Sequence, residues 1–206
     1  MGLDMYLEKL PRNKTMEELE AESEEAWKKG LDYRRKNIRD VRRVGYWRKV
    51  NRLHGFVVDT FAGGVDECQE IELSRADVET IFCRCVDAAN VLSGKRLVCQ
   101  KEVGRKGYDP VFEDDTSVEP IVIDFRCGYR KYSDALCDKA KDRYWKVEDC
   151  VREKLDAILP LKRGFFFGSY EYDVWYVYDL CQTISTLANI LEGWDDNYRY
   201  VYQASW

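Results

Sequence analysis

The clearest pattern of hydrophobic positions predicts a helix that opens after Ser74 and ends at Gly94. Ser74 is a favoured N-cap residue, and Asp77 stands at the third helical position, as in a capping box. Apolar residues then recur every three or four positions, so one face of the helix would be apolar. These positions are Val78, Ile81, Phe82, Cys85, Ala89 and Leu92.

Helical spacing of apolar residues predicts four further helices, over residues 16–29, 45–58 and 141–159 and between Asp173 and Gly193. The first of them is strongly acidic, and the last is capped by Asp173 in this interpretation. The apolar stripes of the other three are Trp47, Val50, Leu53, His54 and Val57; Tyr144, Val147, Val151, Leu155 and Ile158; and Val177, Leu180, Cys181, Ile184, Leu187 and Leu191.

Short alternating or apolar segments predict strands at the N-terminal MGLDMYL, at Cys68–Leu73, at Gly164–Phe167 and in the final YRYVYQASW. Residues from about 95 to 135 are predicted to form a loop-rich insertion with a strand or hairpin, in which only Ile121–Phe125 has a clear strand pattern. Helices and strands do not alternate regularly. The sequence therefore predicts a single α+β domain over residues 1–206, with a small mixed or mostly antiparallel sheet packed by four to five helices.

Composition narrows the functional classes. The net charge of −5 argues against a general nucleic-acid binder, and no run of eighteen apolar residues offers a membrane span. The N-terminus lacks the basic region of a signal peptide, so a cytoplasmic protein is expected. The eight cysteines include no C-x-x-C pair, which favours reduced thiols and predicts neither a metal site nor a cofactor.

A basic block between Arg34 and Arg52 contains nine Lys or Arg residues and one acid. One interpretation pairs it with the acidic helix 16–29 as a helical hairpin. The other makes it a ligand site, because arginine forks match phosphate oxygens and an adjacent indole can stack on a base. The candidate ligand-binding residues of this block are Trp47, Arg48, Lys49, Asn51, Arg52 and His54.

The stretch from Gly164 to Tyr178 carries eight aromatic residues in fifteen positions. Aromatic walls with a few carboxylates hold flat polar ligands, although the same density also suits a hydrophobic core. A strand-to-helix junction here would leave backbone N–H groups free for anions. The candidate residues are Ser169, Tyr170, Glu171, Tyr172 and Asp173, of which Asp173 would serve equally as a helix cap.

His54 is the one histidine of the chain, so any histidine-dependent chemistry must use it. Its place on the apolar stripe favours a hydrogen-bonded core histidine. The alternative is a general acid/base with Glu171 as its partner. Ser169 does not sit in a Gly-x-Ser-x-Gly elbow and is not a predicted nucleophile.

Four blocks, MGLDMYL, YWRKVNRLHGF, GFFFGSYEYD and YQASW, occur in this order along the chain. In order and spacing they resemble a family of small proteins of bacteriophages and prophages. The resemblance covers most of the chain outside residues 95–135 and assigns no role to any residue. It implies a phage gene product that acts in the host bacterial cytoplasm, where small non-structural phage proteins often counter host defence.

Taken together, these features predict a counter-defence protein that sequesters a small anionic host molecule, most plausibly a nucleotide-derived immune signal. A homo-oligomer is expected, since a shared interface deepens a pocket in a chain of this size. Two alternatives stay open. One is an enzyme that cleaves such a nucleotide, and the other is an inhibitor that docks on a host defence protein.

Overall fold

Five helices and six strands make up the part of the chain that the computed structural model describes, namely residues 2–28, 42–93, 95–102, 108–114, 149–164, 167–172 and 174–206. In chain order they are β1 (Asp4–Pro11), α1 (Met16–Lys28), β2 (Arg43–Arg48), α2 (Asn51–Phe61), β3 (Ile71–Leu73), α3 (Arg75–Ser93), β4 (Lys95–Glu102), β5 (Tyr108–Asp114), α4 (Asp149–Ile158), α5 (Val174–Glu192) and β6 (Tyr198–Ser205).

The main sheet has four antiparallel strands in the order β2-β1-β6-β3. Its two inner strands, β1 and β6, pair in register from Asp4↔Ser205 to Pro11↔Tyr198. Both were predicted as strands, and the α+β class with an antiparallel sheet is confirmed. The hairpin β4–β5 lies apart from this sheet, within the loop-rich segment of the sequence.

One face of the sheet carries the core. Alternate residues such as Met5, Leu7 and Tyr202 are buried there, and α3 packs against α4 and α5 over the same cluster. The opposite face is covered at one end by α1, whose Leu19 meets Leu10 and Val201. None of the described helices is long and apolar enough to cross a membrane.

Helix α3 forms as its sequence predicts. The backbone N–H of Ser74 donates to the Asp77 carboxylate at 2.8 Å, and the N–H of Asp77 donates to the Ser74 hydroxyl at 3.2 Å. This reciprocal pair satisfies N–H groups that the first turn leaves without partners. All six residues of the predicted apolar face are buried.

The predicted helix over residues 45–58 is wrong in its first half, because Arg43–Arg48 is the edge strand β2. Gly45 and Trp47 lie on the inner face, opposite Leu7 and Met5. The indole ring of Trp47 lies against Gly45, where an added Cβ would be 2.5 Å from the ring. The apolar residues Trp47, Val50 and Leu53 are three positions apart, which is typical of a helix, but α2 begins only at Asn51.

The segment Gly164–Phe167 was predicted to be a strand of the sheet, and this is also wrong. Gly164 and Phe167 lie in a loop, where the N–H of Phe167 donates to the carbonyl of Gly164 at 3.3 Å. Strand β2 takes the edge position instead. The predicted strand Ile121–Phe125 lies outside the described residues.

Of the predicted helix 141–159, the structure describes Asp149–Ile158, with Val151 and Leu155 buried. Helix α5 buries the predicted stripe from Leu180 to Leu191 and ends before Gly193. The helix α1 agrees with its prediction as far as Lys28. The predicted helical hairpin between the acidic helix and the basic block is wrong for Arg43–Arg48, because this part of the basic block is strand β2.

We expect Gly45→Ala to destabilise the protein by about 1–3 kcal/mol, because the new methyl group overlaps the Trp47 ring. Urea unfolding would measure the change. Gly193→Ala is the control, since its added Cβ comes no nearer than 3.4 Å to the Asn189 carbonyl. It should change stability by no more than about 0.5 kcal/mol. Equal effects of the two changes would contradict the packing described for Trp47.

Candidate functional site

A cleft of about 260 Å³ opens where the N-terminus of α2 meets the loop between α4 and α5. It joins two segments that lie more than a hundred positions apart in the sequence. The lining residues are Arg48, Lys49, Val50, Asn51, Arg52, Gly168, Ser169, Glu171, Tyr176 and Asp179. Six of them, namely Arg48, Lys49, Asn51, Arg52, Ser169 and Glu171, belong to the predicted ligand-binding set.

Asn51, the first residue of α2, holds the loop in place. Its side-chain amide donates to the carbonyl of Phe167 at 3.1 Å and to that of Ser169 at 2.6 Å. Asn51 is buried, and both N–H groups of its side-chain amide donate to these carbonyls. Asn51 therefore shapes the wall of the cleft through the loop backbone.

Arg52 is 4% exposed and ties three elements together. Its guanidinium donates to the Asp156 carboxylate of α4 at 2.7 Å, to the Leu159 carbonyl at 3.3 Å and to the Tyr170 carbonyl at 3.3 Å. The same group lies 3.8 Å from the centre of the Tyr172 ring. Arg52 was predicted to bind phosphate, but Nη1 and Nη2 donate to groups of the protein and one face of the guanidinium packs on Tyr172.

Asp156 is the carboxylate that balances Arg52. Burial acts to raise the pKa of Asp156, but hydrogen bonds from Tyr172 and Arg52 outweigh it and hold that pKa below its ordinary value of 3.8. The Tyr172 hydroxyl donates to the same carboxylate oxygen at 2.7 Å. Burial, followed by this bond to Asp156, raises the pKa of Tyr172 well above its usual range.

Gly168 allows the loop to touch the β2–α2 junction. Its φ of 92° is in the left-handed region, and an added Cβ would lie 2.7 Å from the Cβ of Lys49 and 2.9 Å from its carbonyl oxygen. Glycine is the residue that fits both the conformation and the space. Lys49 itself has a φ of 62°, and its N–H donates to the Leu3 carbonyl at 2.7 Å.

The mouth of the cleft is electropositive on the α2 side. Helix α2 has Val50 as its N-cap residue, without a side-chain cap, and has no acidic residue in its first turn. Its first N–H groups and its dipole are thus available to an anion. Lys49 forms no ion pair with any described residue, whereas Arg48 forms an ion pair with Asp4 at 4.0 Å.

The aromatic residues are placed differently from the prediction. Trp47 is buried in the core, Tyr172 faces Arg52, and the Tyr170 hydroxyl donates to the Gly164 carbonyl at 2.8 Å. None of these three rings lines the cleft, whereas Tyr176 of α5 does. Stacking of a base on Trp47 or Tyr172 is therefore not supported. Asp173 lies outside the described residues.

His54 is a core histidine with both ring nitrogens engaged. Nδ1 is 2.8 Å from the Tyr202 hydroxyl and Nε2 is 3.0 Å from the Asp66 carboxylate, while 1% of the residue is exposed. In the neutral ring, Tyr202 donates to Nδ1 and Nε2–H donates to Asp66. His54 does not line the cleft with Glu171, so the geometry gives no support to this pair as acid and base.

Sequence reasoning missed several residues at these sites. Asp66 and Tyr202 complete the His54 network, and Tyr202 is 148 positions from His54, so no local pattern connects them. Asp179 lines the cleft beside Tyr176, and their i, i+3 spacing on α5 was the available indication that they share a face.

No group of three or more potential metal-ligating side chains occurs among the described residues. This chain matches no protein-family model, no curated protein and no solved structure. The comparisons therefore identify no family, and the site has to be interpreted from its own geometry.

Loss of the Asp156 charge should alter the response to acid. A carboxyl group whose pKa is lowered by folding stabilises the protein above its unfolded pKa, and this contribution is lost as the pH falls through the folded value. We expect wild-type stability to drop below about pH 4. Asp156→Asn should lack this part of the drop and lose about 1–2 kcal/mol at neutral pH, because the buried Arg52 loses its partner charge while water screens the half-exposed Asp156 position. Urea unfolding across pH tests this, and an unchanged acid profile in the variant would contradict it.

The His54 network gives a second prediction. Tyr202→Phe should cost about 1–3 kcal/mol, because it leaves Nδ1 of a buried imidazole without a donor. Tyr46→Phe is the matched control, since the partly exposed Tyr46 hydroxyl donates to Asp4 at the surface. The control should lose no more than about 0.5 kcal/mol in thermal or urea unfolding. Equal losses in the two variants would show that the His54 network contributes nothing beyond a surface hydrogen bond.

Proposed function

We propose that this protein binds a small anionic molecule in the cleft between α2 and the Gly168–Ser169 loop. The observation that carries the proposal is the meeting of Arg48, Lys49 and the uncapped start of α2 at one cavity. A helix N-terminus with free N–H groups and adjacent cations is a general anion-binding arrangement in proteins. Phosphate and carboxylate groups are the anions that such a site accepts.

Lys49 is the residue on which the proposal depends most. The charge of the buried Arg52 is balanced by the half-exposed carboxylate of Asp156, 2.7 Å away, so this cation already has an anionic partner in the fold. The Lys49 side chain is exposed at the cleft, beside Gly2, and makes no ion pair with any described residue. An anion bound at this position would accept a charge-assisted hydrogen bond from the Lys49 ammonium group.

The size of the cleft limits the ligand. Pockets for drug-sized ligands span roughly 300–1,000 Å³. At about 260 Å³ the cleft suits a molecule no larger than a mononucleotide. The expected nucleotide-derived signal is therefore narrowed to a small compound with an anionic group, and Tyr176 is the aromatic residue available to contact it.

The biological role that follows is sequestration. A protein of the phage family that the sequence resembles would withdraw such a molecule from the host cytoplasm by holding it without turnover. Cleavage through His54 gains no support from the structure, because this imidazole is enclosed by Tyr202 and Asp66 and does not line the cleft.

A retention experiment tests the proposal. The purified protein is incubated with an extract of phage-infected bacteria, washed and heated, and the released small molecules are identified by mass spectrometry. Wild-type protein should release one intact anionic compound. Lys49→Asn should release at least about tenfold less, because Asn tolerates the left-handed backbone but carries no charge.

Two comparisons make the outcome decisive. Lys28→Asn removes an exposed lysine at the end of α1 and should retain the compound like the wild type. The melting temperature of Lys49→Asn should stay within a degree or two of the wild type, which excludes unfolding as the cause. Equal retention by Lys49→Asn and wild type, or no retained compound at all, would contradict the proposal. Release of a cleaved product would replace sequestration with catalysis.

A further inference from the structure

Strand β2 lies at one edge of the main sheet, with β1 on one side and no described strand on the other. The N–H of Lys49 donates to the Leu3 carbonyl at 2.7 Å, which continues the ladder between β2 and β1. Because backbone groups alternate along a strand, those of Trp47 also point toward β1. The N–H and C=O groups of Tyr46 and Arg48 therefore point away from β1, along the outer edge of the sheet.

This outer edge is open to solvent. Tyr46 is 39% exposed, and the side chain of Arg48 is 58% exposed. The edge strand at the opposite end of the sheet, β3, has three residues, whereas β2 has six. Backbone donors and acceptors along an exposed edge pair readily with a further extended strand, and peptide recognition by strand addition uses such an edge.

The side chains around the edge decide which strand fits it. The segment Arg42–Lys49 contains four Lys or Arg residues and no acidic residue. Pairing of β2 with the same strand of a second copy would bring two basic segments together, so like charges disfavour a homodimer at this edge. An acidic strand has the opposite sign and is attracted to the same position.

Arg48 shows how an added carboxylate would be held. Its ion pair with Asp4, on the β1 side, has a length of 4.0 Å. A guanidinium has five N–H donors, so a second carboxylate can bind Arg48 from the outer side while Asp4 keeps its place. The inner face is apolar, because Gly45 and Trp47 are buried there. The matching strand therefore alternates acidic and apolar residues.

We propose that the outer edge of β2 binds an extended acidic segment of a partner protein, which joins the main sheet as an antiparallel strand. Its acidic side chains would lie on the outer face beside Tyr46 and Arg48, and its apolar side chains would lie beside Trp47. This interaction goes beyond the proposed function, since the added strand occupies the sheet edge and not the cleft. Arg48 borders both surfaces.

Three capped peptides test the backbone pairing on the unmodified full chain. The parent peptide is Ac-Thr-Glu-Val-Glu-Val-Glu-Thr-NH₂, and the other two carry N-methyl groups on either the glutamates or the valines. In antiparallel pairing, the residues that share the outer face with Tyr46 and Arg48 direct their N–H groups at β2. Methylation of the glutamates should therefore weaken binding at least about tenfold, and methylation of the valines should not. Isothermal titration calorimetry measures all three affinities.

A proline variant tests the position on the protein. Tyr46→Pro removes an N–H that points outward and leaves the ladder to β1 intact, so it should weaken the parent peptide at least about tenfold. Tyr46→Phe is the matched control, because it loses the hydroxyl and keeps the backbone N–H. It should bind the parent peptide like the wild type. Thermal unfolding checks that the proline variant is folded, and the peptide comparison on the unmodified chain does not depend on any variant.

The sign of the charge is tested by a peptide with lysines in place of the glutamates, which should bind at least about tenfold more weakly than the parent. Equal binding of the lysine peptide would overturn the acidic partner. Equal binding of the parent and both methylated peptides would overturn the edge pairing, and so would no binding of the parent at millimolar concentration. A wild-type dimer in sedimentation that Tyr46→Pro converts to a monomer would place a second copy at the edge and contradict the proposal.

Discussion

The interaction on which the candidate site depends is the buried guanidinium of Arg52. It contacts the carboxylate of Asp156 in α4, two loop carbonyls and the face of Tyr172. A cation removed from water is costly unless its donors are satisfied, so the chain around it has little freedom to rearrange. Because Arg52 belongs to α2 and its partners belong to α4 and the following loop, one side chain fixes the relative positions of all three.

The cleft follows from this constraint. Once Arg52 and Asn51 hold the loop carbonyls, the loop backbone has to pass directly over Lys49, and Gly168 permits that approach. The same contact sets the loop against the uncapped N-terminus of α2. The two neighbouring cations thus differ: Arg52 is neutralised by Asp156 within the fold, whereas Lys49 forms no ion pair with any described residue.

The fold was predictable where one local pattern dominates. The capping box at Ser74 and the stripe of α3, the alternation of β1 and β6, and the stripe of α5 all formed as expected. The prediction failed at residues 45–50, where Trp47 packs on Gly45 in a strand although its spacing to Leu53 is helical. Sequence reasoning also predicted that Lys49 and Glu171 belong to one candidate site. It did not predict that Arg52 pairs with groups inside the fold. That pairing requires Asp156, 104 positions away, and no local pattern reveals it.

Backbone NMR of the ¹⁵N-labelled full chain, titrated with inorganic phosphate, tests the central claim most directly. The account predicts that the largest chemical-shift changes occur at the amides of Asn51, Arg52 and Leu53 in the first turn of α2 and at Gly168 and Ser169 in the loop. These changes should be absent in Lys49→Asn. Chemical-shift changes spread over the surface lysines and arginines would contradict a specific anion-binding site in the cleft. The absence of a saturable change at the start of α2 would contradict it as well.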